Sequence, residues 1–251
     1  MTQDIFRQDA YLRDCDAHVT AITDTGAIVL DRTVFYPLGG GQAGDSGVLL
    51  LADGSSIAIA DTRKGKDAEG HATSDIVHVP APGQEDRVAQ LAAGTAVTAR
   101  IDWERRHRMM RLHTTSHLLC HVVPQLVNGC SITPDYARLD FAMTDPLDKE
   151  ALTAAIAALV AAAHPLTVAS ISDEELDANP ALVKSMSVQP PRGTGRIRTI
   201  RIGGDSGAPL IDLQPCGGTH VANTSEIGAI VVTKIEKKSA TTRRVVLGFA
   251  Q

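Results

Sequence analysis

Two histidines stand four residues apart in the apolar run RLHTTSHLLCHVV, residues 111–123. On a helix, side chains four positions apart lie on one face, so the imidazoles of His113 and His117 can converge on one metal ion. Such a pair is more often a packing feature than a ligand pair, and His121 repeats the spacing once more. The segment therefore suggests a metal site that needs further ligands from elsewhere in the chain.

Suitable ligands occur far downstream, in the segment IDLQPCGGTHV at residues 211–221. Cys216 and His220 are again four apart, and Pro215 together with Gly217–Gly218 predicts a tight turn around the thiol. Zinc selects ligands of this kind, a thiolate and imidazoles. The alternative, that Cys216 is merely a small buried residue, leaves the CGGTH sequence unexplained. We therefore predict one zinc site formed by His113, His117, Cys216 and His220.

A third stretch, DRTVFYPLGGGQAGDSG at residues 31–47, concentrates glycines around Asp45. Glycine tolerates positive φ and lets the backbone approach a ligand closely, and a plain β-turn needs fewer glycines than this. The stretch lacks the GK[ST] ending of a Walker phosphate loop, and no helix follows as a dinucleotide fingerprint requires. We therefore predict a loop that contacts the substrate.

The elements that carry these motifs change character along the chain. The first hundred residues contain short β-branched runs separated by Gly, Asp and Pro, which predict strands that close into a small barrel or sandwich. From Glu104 onward, apolar residues recur at helical spacing. An Ala-rich helix is predicted at 146–165, with Asp145 as its N-cap and Pro165 at its end.

The remainder of the chain predicts a mixed fold. LTVASIS followed by DEELDA predicts a strand and a short helix, and the tail is again strand-like. We expect an α+β protein with a β domain, either a small barrel or a sandwich, over 1–95, which carries the GGGQ loop. An α+β domain over 96–251, with an antiparallel sheet, helices and the metal site, follows it.

The composition excludes several classes of protein. The 251 residues carry a formal net charge of −5, which argues against a sequence-independent nucleic-acid coat, since such proteins are normally basic. The N-terminus has early charges and no apolar core of signal-peptide length, and no stretch approaches a membrane span. The four cysteines lack the paired spacing of a disulfide scaffold, so we expect the protein to reside in a reducing compartment, the cytoplasm.

Two segments are nonetheless basic. RGTGRIRTIRI at 192–202 contains four arginines, and KIEKKSATTRR at 234–244 contains five cations. Either segment alone is typical of a solvated edge. Together, in an acidic protein, they favour a polyanion as partner.

The three motifs, in this order, resemble those of the editing domain of alanyl-tRNA synthetase. They resemble still more those of its free-standing relatives, the alanyl-tRNA editing proteins of the AlaX family. The family pattern YPxGGGQxxDxG is matched from Tyr36 to Gly47, its HxxxH as HTTSH and its CxxxH as CGGTH. Thr115 and Ser116 replace the commoner Ala and Thr between the first two ligands. The likeness covers nearly the whole chain and implies a small N-terminal β-barrel followed by a metal-bearing α+β domain of the second-additional-domain type.

The resemblance also implies roles for individual residues. Gln42 would line the editing pocket, and Thr33 would read the hydroxyl of a misattached serine; these are the catalytic candidates. The basic pair Arg243–Arg244 would contact the tRNA near its terminal adenosine. Zinc would be held by His113, His117, Cys216 and His220, and the substrate would also meet Gly40, Gly41 and Asp45.

The implied reaction is zinc-dependent hydrolysis of the ester that joins serine or glycine to the 3′-terminal ribose of tRNA(Ala). A synthetase pocket sized for alanine cannot strongly exclude glycine and rejects an added hydroxyl imperfectly, so both errors need correction. The partner would be mischarged tRNA(Ala), with no membrane and no obligate protein partner.

Two alternatives stay open. Threonyl-tRNA synthetase editing domains share the zinc motifs, so the substrate could be seryl-tRNA(Thr). The zinc could also be purely structural, in a module that binds tRNA without catalysis. A zinc peptidase is disfavoured because no glutamate follows His113, and the chain has no room for an aminoacylation core.

Overall fold

The chain divides into two units, Met1–His107 and Arg108–Gln251, in a computed structural model that describes residues 1–190, 195–204 and 207–250. The first unit contains eight strands, a short α-helix and a 3-10 turn at Ile5–Arg7. Its elements are β1 Gln3–Asp4, β2 Asp14–Ile22, β3 Ile28–Leu30, β4 Arg32–Thr33, β5 Gly47–Leu51, β6 Ser56–Lys66, β7 Ala72–Pro80, α1 Glu85–Val88 and β8 Ala96–Ile101.

Six of these strands pair in the order β2-β3-β7-β6-β5-β8, and β8 returns to β2, which closes a barrel. The apolar residues of each strand alternate toward the inside; on β6, for example, Ile57 and Ile59 are buried with Leu49 of β5. β8 pairs with both β2 and β5, so it completes this barrel. For that reason the first unit extends past the predicted division after residue 95.

The second unit contains most of the long helix α2, Trp103–Val122, which begins in the first unit. Further 3-10 turns lie at Pro180–Leu182 and Thr224–Ile227. The remaining elements are β9 Val127–Ile132, β10 Tyr136–Ala142, α3 Lys149–Ala161, β11 Leu166–Ile171, α4 Asp173–Ala178, β12 Ile197–Gly203, β13 Leu210–Pro215, β14 Ile230–Ser239 and β15 Thr242–Phe249.

The described residues of the second unit form two antiparallel sheets, one in the order β14-β15-β10-β9 and the other in the order β11-β12-β13. On β10, the alternating residues Ala137, Leu139 and Phe141 are buried, which is the pattern of a strand with one face on a core. The predicted α+β class, with mostly antiparallel sheets, is thus confirmed.

The predicted Ala-rich helix exists, but its start differs from the prediction. The helix runs from Lys149 to Ala161, and its N-cap is Asp148, whose carboxylate accepts a 2.7 Å hydrogen bond from the Ala151 N–H. Asp145 is therefore not the cap, because Asp148 is the residue that satisfies an unpaired amide of the first turn.

In the described part of the chain, none of the helices combines the length and apolarity needed to cross a membrane. The four cysteines are all free thiols. Cys120 is buried, whereas Cys15, Cys130 and Cys216 are partly buried.

Candidate functional site

The four predicted metal ligands come together in the second unit. His113 and His117 lie on α2, Cys216 and His220 lie in the loop after β13, and one ligand atom from each lies within 4.8 Å of all the others. The Cys216 Sγ is 3.5 Å from Nε2 of His113 and 3.4 Å from Nε2 of His220. A tetrahedral zinc ion, with Zn–S of about 2.3 Å and Zn–N of about 2.0–2.1 Å, separates sulfur from nitrogen by about 3.5 Å. The donor types and these two sulfur–nitrogen distances therefore fit zinc.

The loop that carries Cys216 and His220 is held by contacts with β12 and α2. Nη1 of Arg198, on β12, donates to the carbonyl oxygens of Cys216 at 2.6 Å and Gly218 at 3.1 Å. Thr114 Oγ1 accepts a hydrogen bond from the Val221 N–H at 3.3 Å and lies 3.2 Å from Nδ1 of His220. These contacts fix the backbone of the loop and one ligand ring.

The electrostatics of the cluster favour a thiolate. Burial alone would raise the pKa of Cys216, but the adjacent imidazoles of His113 and His220 lower it well below its usual value. Burial and the neighbouring His113 lower the pKa of His220, so its ring is neutral. His117 differs, because burial lowers its pKa but the hydrogen bonds with Asp212 and Cys216 outweigh burial and raise it to about 9. The thiolate of Cys216 and the neutral ring of His220 are thus already in protonation states that bind metals, whereas His117 must first release a proton.

His117 makes a further contact, with a buried carboxylate. Its Nδ1 is 2.8 Å from Oδ2 of Asp212, which also accepts from Nε2 of Gln214 at 2.8 Å, and Lys184 Nζ contacts the other oxygen, Oδ1. Burial alone would raise the pKa of Asp212, but the bonds from His117 and Lys184 lower it to about 2. Asp212 is therefore an ionised group in the interior of the second unit.

The glycine loop has largely structural reasons for its glycines. Gly39 and Gln42 exchange hydrogen bonds of 3.1 and 3.0 Å around a two-residue turn, and Gly40 and Gly41 at its centre have φ of 57° and 85°. A turn with positive φ at both central residues strongly favours glycine there. A Cβ on Gly44 would lie 2.2 Å from the Thr62 carbonyl oxygen. Backbone conformation thus explains the glycines at 40 and 41, and close packing explains Gly44. Gly40 is exposed at the tip of the turn.

Asp45, near the end of the glycine loop, forms a buried ion pair. Its carboxylate binds the guanidinium of Arg106, at 3.0 and 3.1 Å from Nε, and accepts a 2.6 Å bond from the Tyr36 N–H. Arg106 also donates to the carbonyl oxygens of Ala10 and Val34. The side chains of Asp45 and Arg106 are 1% and 0% exposed, so this pair supports the loop from inside the first unit.

Thr33 is also buried, and its hydroxyl is engaged. His78 Nδ1 is 3.0 Å from the Ile28 carbonyl oxygen, which only accepts, so the proton of this ring is on Nδ1. Nε2 of His78 therefore accepts from the Thr33 hydroxyl at 2.8 Å, while Thr33 Oγ1 accepts from the Phe35 N–H at 3.1 Å. Gln42 is buried in the same unit, where its backbone closes the turn.

The two basic segments are partly used within the chain. Arg243 is buried and donates to the carbonyl oxygens of Thr144, Ser239 and Thr242, whereas Arg244 makes a two-bond ion pair with Asp140 at 2.7 and 2.8 Å. Arg196 and Arg201 donate to Ser170 Oγ and the Gly204 carbonyl oxygen, and Arg192 lies outside the described residues.

Several residues of the site were not found from the sequence, namely Lys184, Asp212, Arg198, Arg106 and His78. Asp212 gave a usable signal, because a carboxylate inside the otherwise apolar strand segment LIDL needs a buried partner. Arg198 belongs to the basic segment at 192–202, but no local pattern predicts the loop that it binds. The partners of the other residues are likewise distant in the sequence.

Comparison with known families finds related proteins for both units. The family described as "Threonyl and Alanyl tRNA synthetase second additional domain" matches residues 197–246, and "tRNA synthetases class II (A)" matches residues 11–105. The first match includes Cys216 and His220 together with Asp212, Arg198 and Arg244. The second includes the whole glycine loop.

Two editing proteins and one ligase are similar to nearly the whole of this chain. The chain is 32% identical over 249 residues to the "Alanyl-tRNA editing protein AlaX-M" of Saccharolobus solfataricus, covering 98% of both proteins. It is 31% identical over 252 residues to the protein of that name from Methanosarcina acetivorans, again covering 98% of both. The "Alanine--tRNA ligase" of Metallosphaera sedula is 34% identical over 246 residues, which are 94% of this chain and 25% of the ligase.

Proposed function

This chain belongs to the family of alanyl-tRNA editing proteins, and on that premise we propose that it is an aminoacyl-tRNA deacylase. Its substrate is the ester of serine misattached to tRNA(Ala), with the glycine ester as a second substrate, and it acts in the cytoplasm. The observation that carries this proposal is the convergence of three imidazoles and a thiolate from two distant segments, in a chain matched end to end by editing proteins.

The proposed cofactor is zinc, held by His113, His117, Cys216 and His220. When bound, zinc supplies a Lewis acid that can polarise a carbonyl group. The low pKa of Cys216 supports this choice of metal, because the thiol is ready to bind without first losing a proton. An aminoacyl ester is an activated substrate, so the remaining task of the protein is to orient it.

Within the first unit, we propose substrate contacts at the glycine loop. We assign to Gly40 and Gly41 a backbone that the substrate can approach closely, and to Gln42 a place in the lining of the pocket. Asp45 is buried in its ion pair with Arg106, so its proposed contribution is to hold this loop.

Thr33 is the proposed reader of the serine hydroxyl. Because its own proton is directed to His78, it would accept a hydrogen bond from serine. The methyl of a correctly attached alanine offers no such donor, and a site built around a hydrogen bond rejects an analogue that cannot make it.

For the tRNA, we propose contacts from the β14–β15 hairpin. Arg244 is the candidate for a phosphate contact, since its side chain is 17% exposed and its ion pair with Asp140 holds it in place. Arg243 is bound to backbone carbonyls, so its proposed role is to hold the hairpin that carries Arg244.

A panel of purified mischarged tRNAs tests the function as a whole. We expect Ser-tRNA(Ala) and Gly-tRNA(Ala) to be deacylated, and Ala-tRNA(Ala) to be spared. Preferential hydrolysis of Ser-tRNA(Thr) would assign the protein to the threonine pathway instead. Binding of all these tRNAs without hydrolysis would indicate a tRNA-binding module with structural zinc.

A further inference from the structure

We infer that Asp212 and Lys184 are positioning residues of the metal centre. Asp212 fixes the proton of His117 on Nδ1, so that Nε2 faces the metal as a ligand, and Lys184 holds the carboxylate in that orientation. This inference rests on the zinc site of the proposed function. It assigns a task to two residues that donate no ligand atom themselves.

The hydrogen-bond donors around the Asp212 carboxylate show which protonation state it has. Its Oδ2 lies 2.8 Å from Nδ1 of His117 and 2.8 Å from Nε2 of Gln214, and its Oδ1 is bound by the ammonium of Lys184. The side chain is 0% exposed. A carboxylate that faces three donors, one of them an ammonium, is ionised and can only accept hydrogen bonds.

The orientation of His117 follows from that constraint. Because Asp212 Oδ2 only accepts, Nδ1 of His117 must carry the proton that is donated to it. In a neutral imidazole the other nitrogen, Nε2, then holds the lone pair, which a metal requires. Nε2 of Gln214 lies 3.1 Å from the same Nδ1, but both are donors, so Asp212 is the acceptor that they share.

Lys184 is itself held by the backbone. Its carbonyl oxygen accepts a 2.8 Å bond from the Val127 N–H, and the Met186 N–H donates to the Val127 carbonyl oxygen at 2.8 Å. The segment around Lys184 therefore pairs with the start of β9, which limits where the ammonium can lie. A cation fixed beside Asp212 also offsets the cost of burying a carboxylate in the same region as the Cys216 thiolate.

The test measures zinc affinity directly, by competition with a chromophoric chelator at neutral pH. Asp212→Asn preserves size, but the amide can turn its N–H₂ toward His117 and no longer enforces the proton on Nδ1. We expect it to weaken zinc binding by about 10- to 100-fold, as for other partners of metal-ligating histidines. Lys184→Met should cause a smaller loss, of about tenfold or less. Asp177→Asn, the same change at an exposed acid of α4, is the matched control and should bind zinc like the wild type.

An unchanged zinc dissociation constant in Asp212→Asn would overturn the inference, and an unchanged constant in Lys184→Met would remove Lys184 from it. Thermal unfolding of the metal-free proteins distinguishes a residue that orients a zinc ligand from one that only stabilises the fold. A merely structural role would lower stability without changing zinc affinity. Should Asp212→Asn not fold, Lys184→Met carries the test, since that side chain is 27% exposed. If the wild type failed to hydrolyse any mischarged tRNA while Asp212→Asn still lost zinc affinity, the proposed function would fail and the positioning would stand.

Discussion

Three imidazoles surround the thiol of Cys216, and this arrangement has a simple electrostatic consequence. The thiol loses its proton more readily than an ordinary cysteine, while burial keeps His220 neutral. Cys120 shows the opposite effect, because burial and the negative charge of Asp212 raise its pKa to about 12. Cys216 is therefore poised to bind a metal, whereas Cys120 behaves as a core residue.

One substitution can test whether Thr33 binds the serine hydroxyl of the substrate or only stabilises the barrel. Thr33→Val keeps the size and removes the hydroxyl, and the loss of one neutral hydrogen bond costs about 0.5–1.5 kcal/mol, which lowers a rate a few-fold to about tenfold. We expect the rate of Ser-tRNA(Ala) hydrolysis to fall by that factor and the rate for Gly-tRNA(Ala) to change little. Both rates are measured by release of the labelled amino acid.

Thr2→Val is the matched control for this experiment, since Thr2 is another buried threonine of the first unit, with its hydroxyl bonded to the Leu30 carbonyl oxygen. It should leave the ratio of the two rates as in the wild type. Equal losses for serine and glycine in Thr33→Val would mean that Thr33 acts only through His78 and the barrel.

The buried His78 predicts a dependence of stability on pH. Burial lowers its folded-state pKa from 6.5 to about 4. Between these values the unfolded chain binds a proton that the folded chain does not. The stabilising contribution is therefore complete above about pH 6.5 and is lost as the pH falls toward 4, by about 3 kcal/mol in total.

This prediction is tested by urea unfolding of the wild type and His78→Gln between pH 4.5 and 7.5. Fluorescence of Trp103, the one tryptophan of the sequence, reports on the first unit, where its ring packs beside the barrel core. The wild type should lose more stability than the variant as the pH falls from 6.5. Parallel curves for the two proteins would refute the assignment to His78.

At the scale of elements, the glycine loop depends on a buried ion pair that ties it to the start of α2. Removal of one partner of such a pair leaves an uncompensated charge and costs about 3–5 kcal/mol, whereas a surface pair is worth about 1 kcal/mol or less. We expect Arg106→Met to lower the free energy of unfolding of the first unit by about 3–5 kcal/mol.

Arg63→Met is the matched control, because Arg63 pairs with Asp61 on the surface and its side chain is 60% exposed. Its free energy of unfolding, measured by Trp103 fluorescence in urea, should fall by no more than about 1 kcal/mol. Similar losses in both variants would show that the buried pair does not support the loop as described.

The sequence predicted elements well where the pattern was long or strongly local. The helix α2, the short helix α4 and the barrel strands were all predicted, and in the structure α4 begins with a capping box at Ser172. β9 was missed because VNGCSI contains Asn, Gly and Ser, which favour turns over strands. β10 was also missed, although the alternation that buries Ala137, Leu139 and Phe141 is typical of a strand.

The residues of the candidate site also differ in how far the sequence alone predicts them. The four metal ligands were predictable because their types and spacing are specific in themselves. The partners that orient them were not, because the His117–Asp212 contact joins residues 95 positions apart, which no local pattern reveals. The concentration of glycines in the loop predicts substrate contact, whereas the structure shows that Gly44 is required by the close approach of Thr62.

At the scale of the whole molecule, an acidic protein with a net charge of −5 must bind tRNA through a local surface. Removal of one phosphate contact lowers affinity for all tRNAs and reduces the salt slope by about 1. We expect this of Arg244→Gln, measured by filter binding of tRNA over a range of salt concentrations. Arg243→Gln should mainly lower stability, because that side chain is bound to carbonyl oxygens.

Arg63→Gln changes an exposed arginine of the first unit and serves as the control for net charge. Its affinity and salt slope should match those of the wild type. If Arg244→Gln also matched the wild type in both, the β14–β15 hairpin would not be the tRNA-binding surface.

The central claim, a zinc-dependent deacylase specific for misattached serine, is tested most directly by the rate of serine release from Ser-tRNA(Ala). The measurement compares the wild type with Cys216→Ala and Cys130→Ala, and the zinc content of each protein is determined in parallel. We predict serine release by the wild type and by Cys130→Ala, each with about one zinc per chain, and loss of both zinc and activity in Cys216→Ala. Serine release at the wild-type rate by zinc-free Cys216→Ala, or release of alanine from Ala-tRNA(Ala) as fast as serine, would contradict the account.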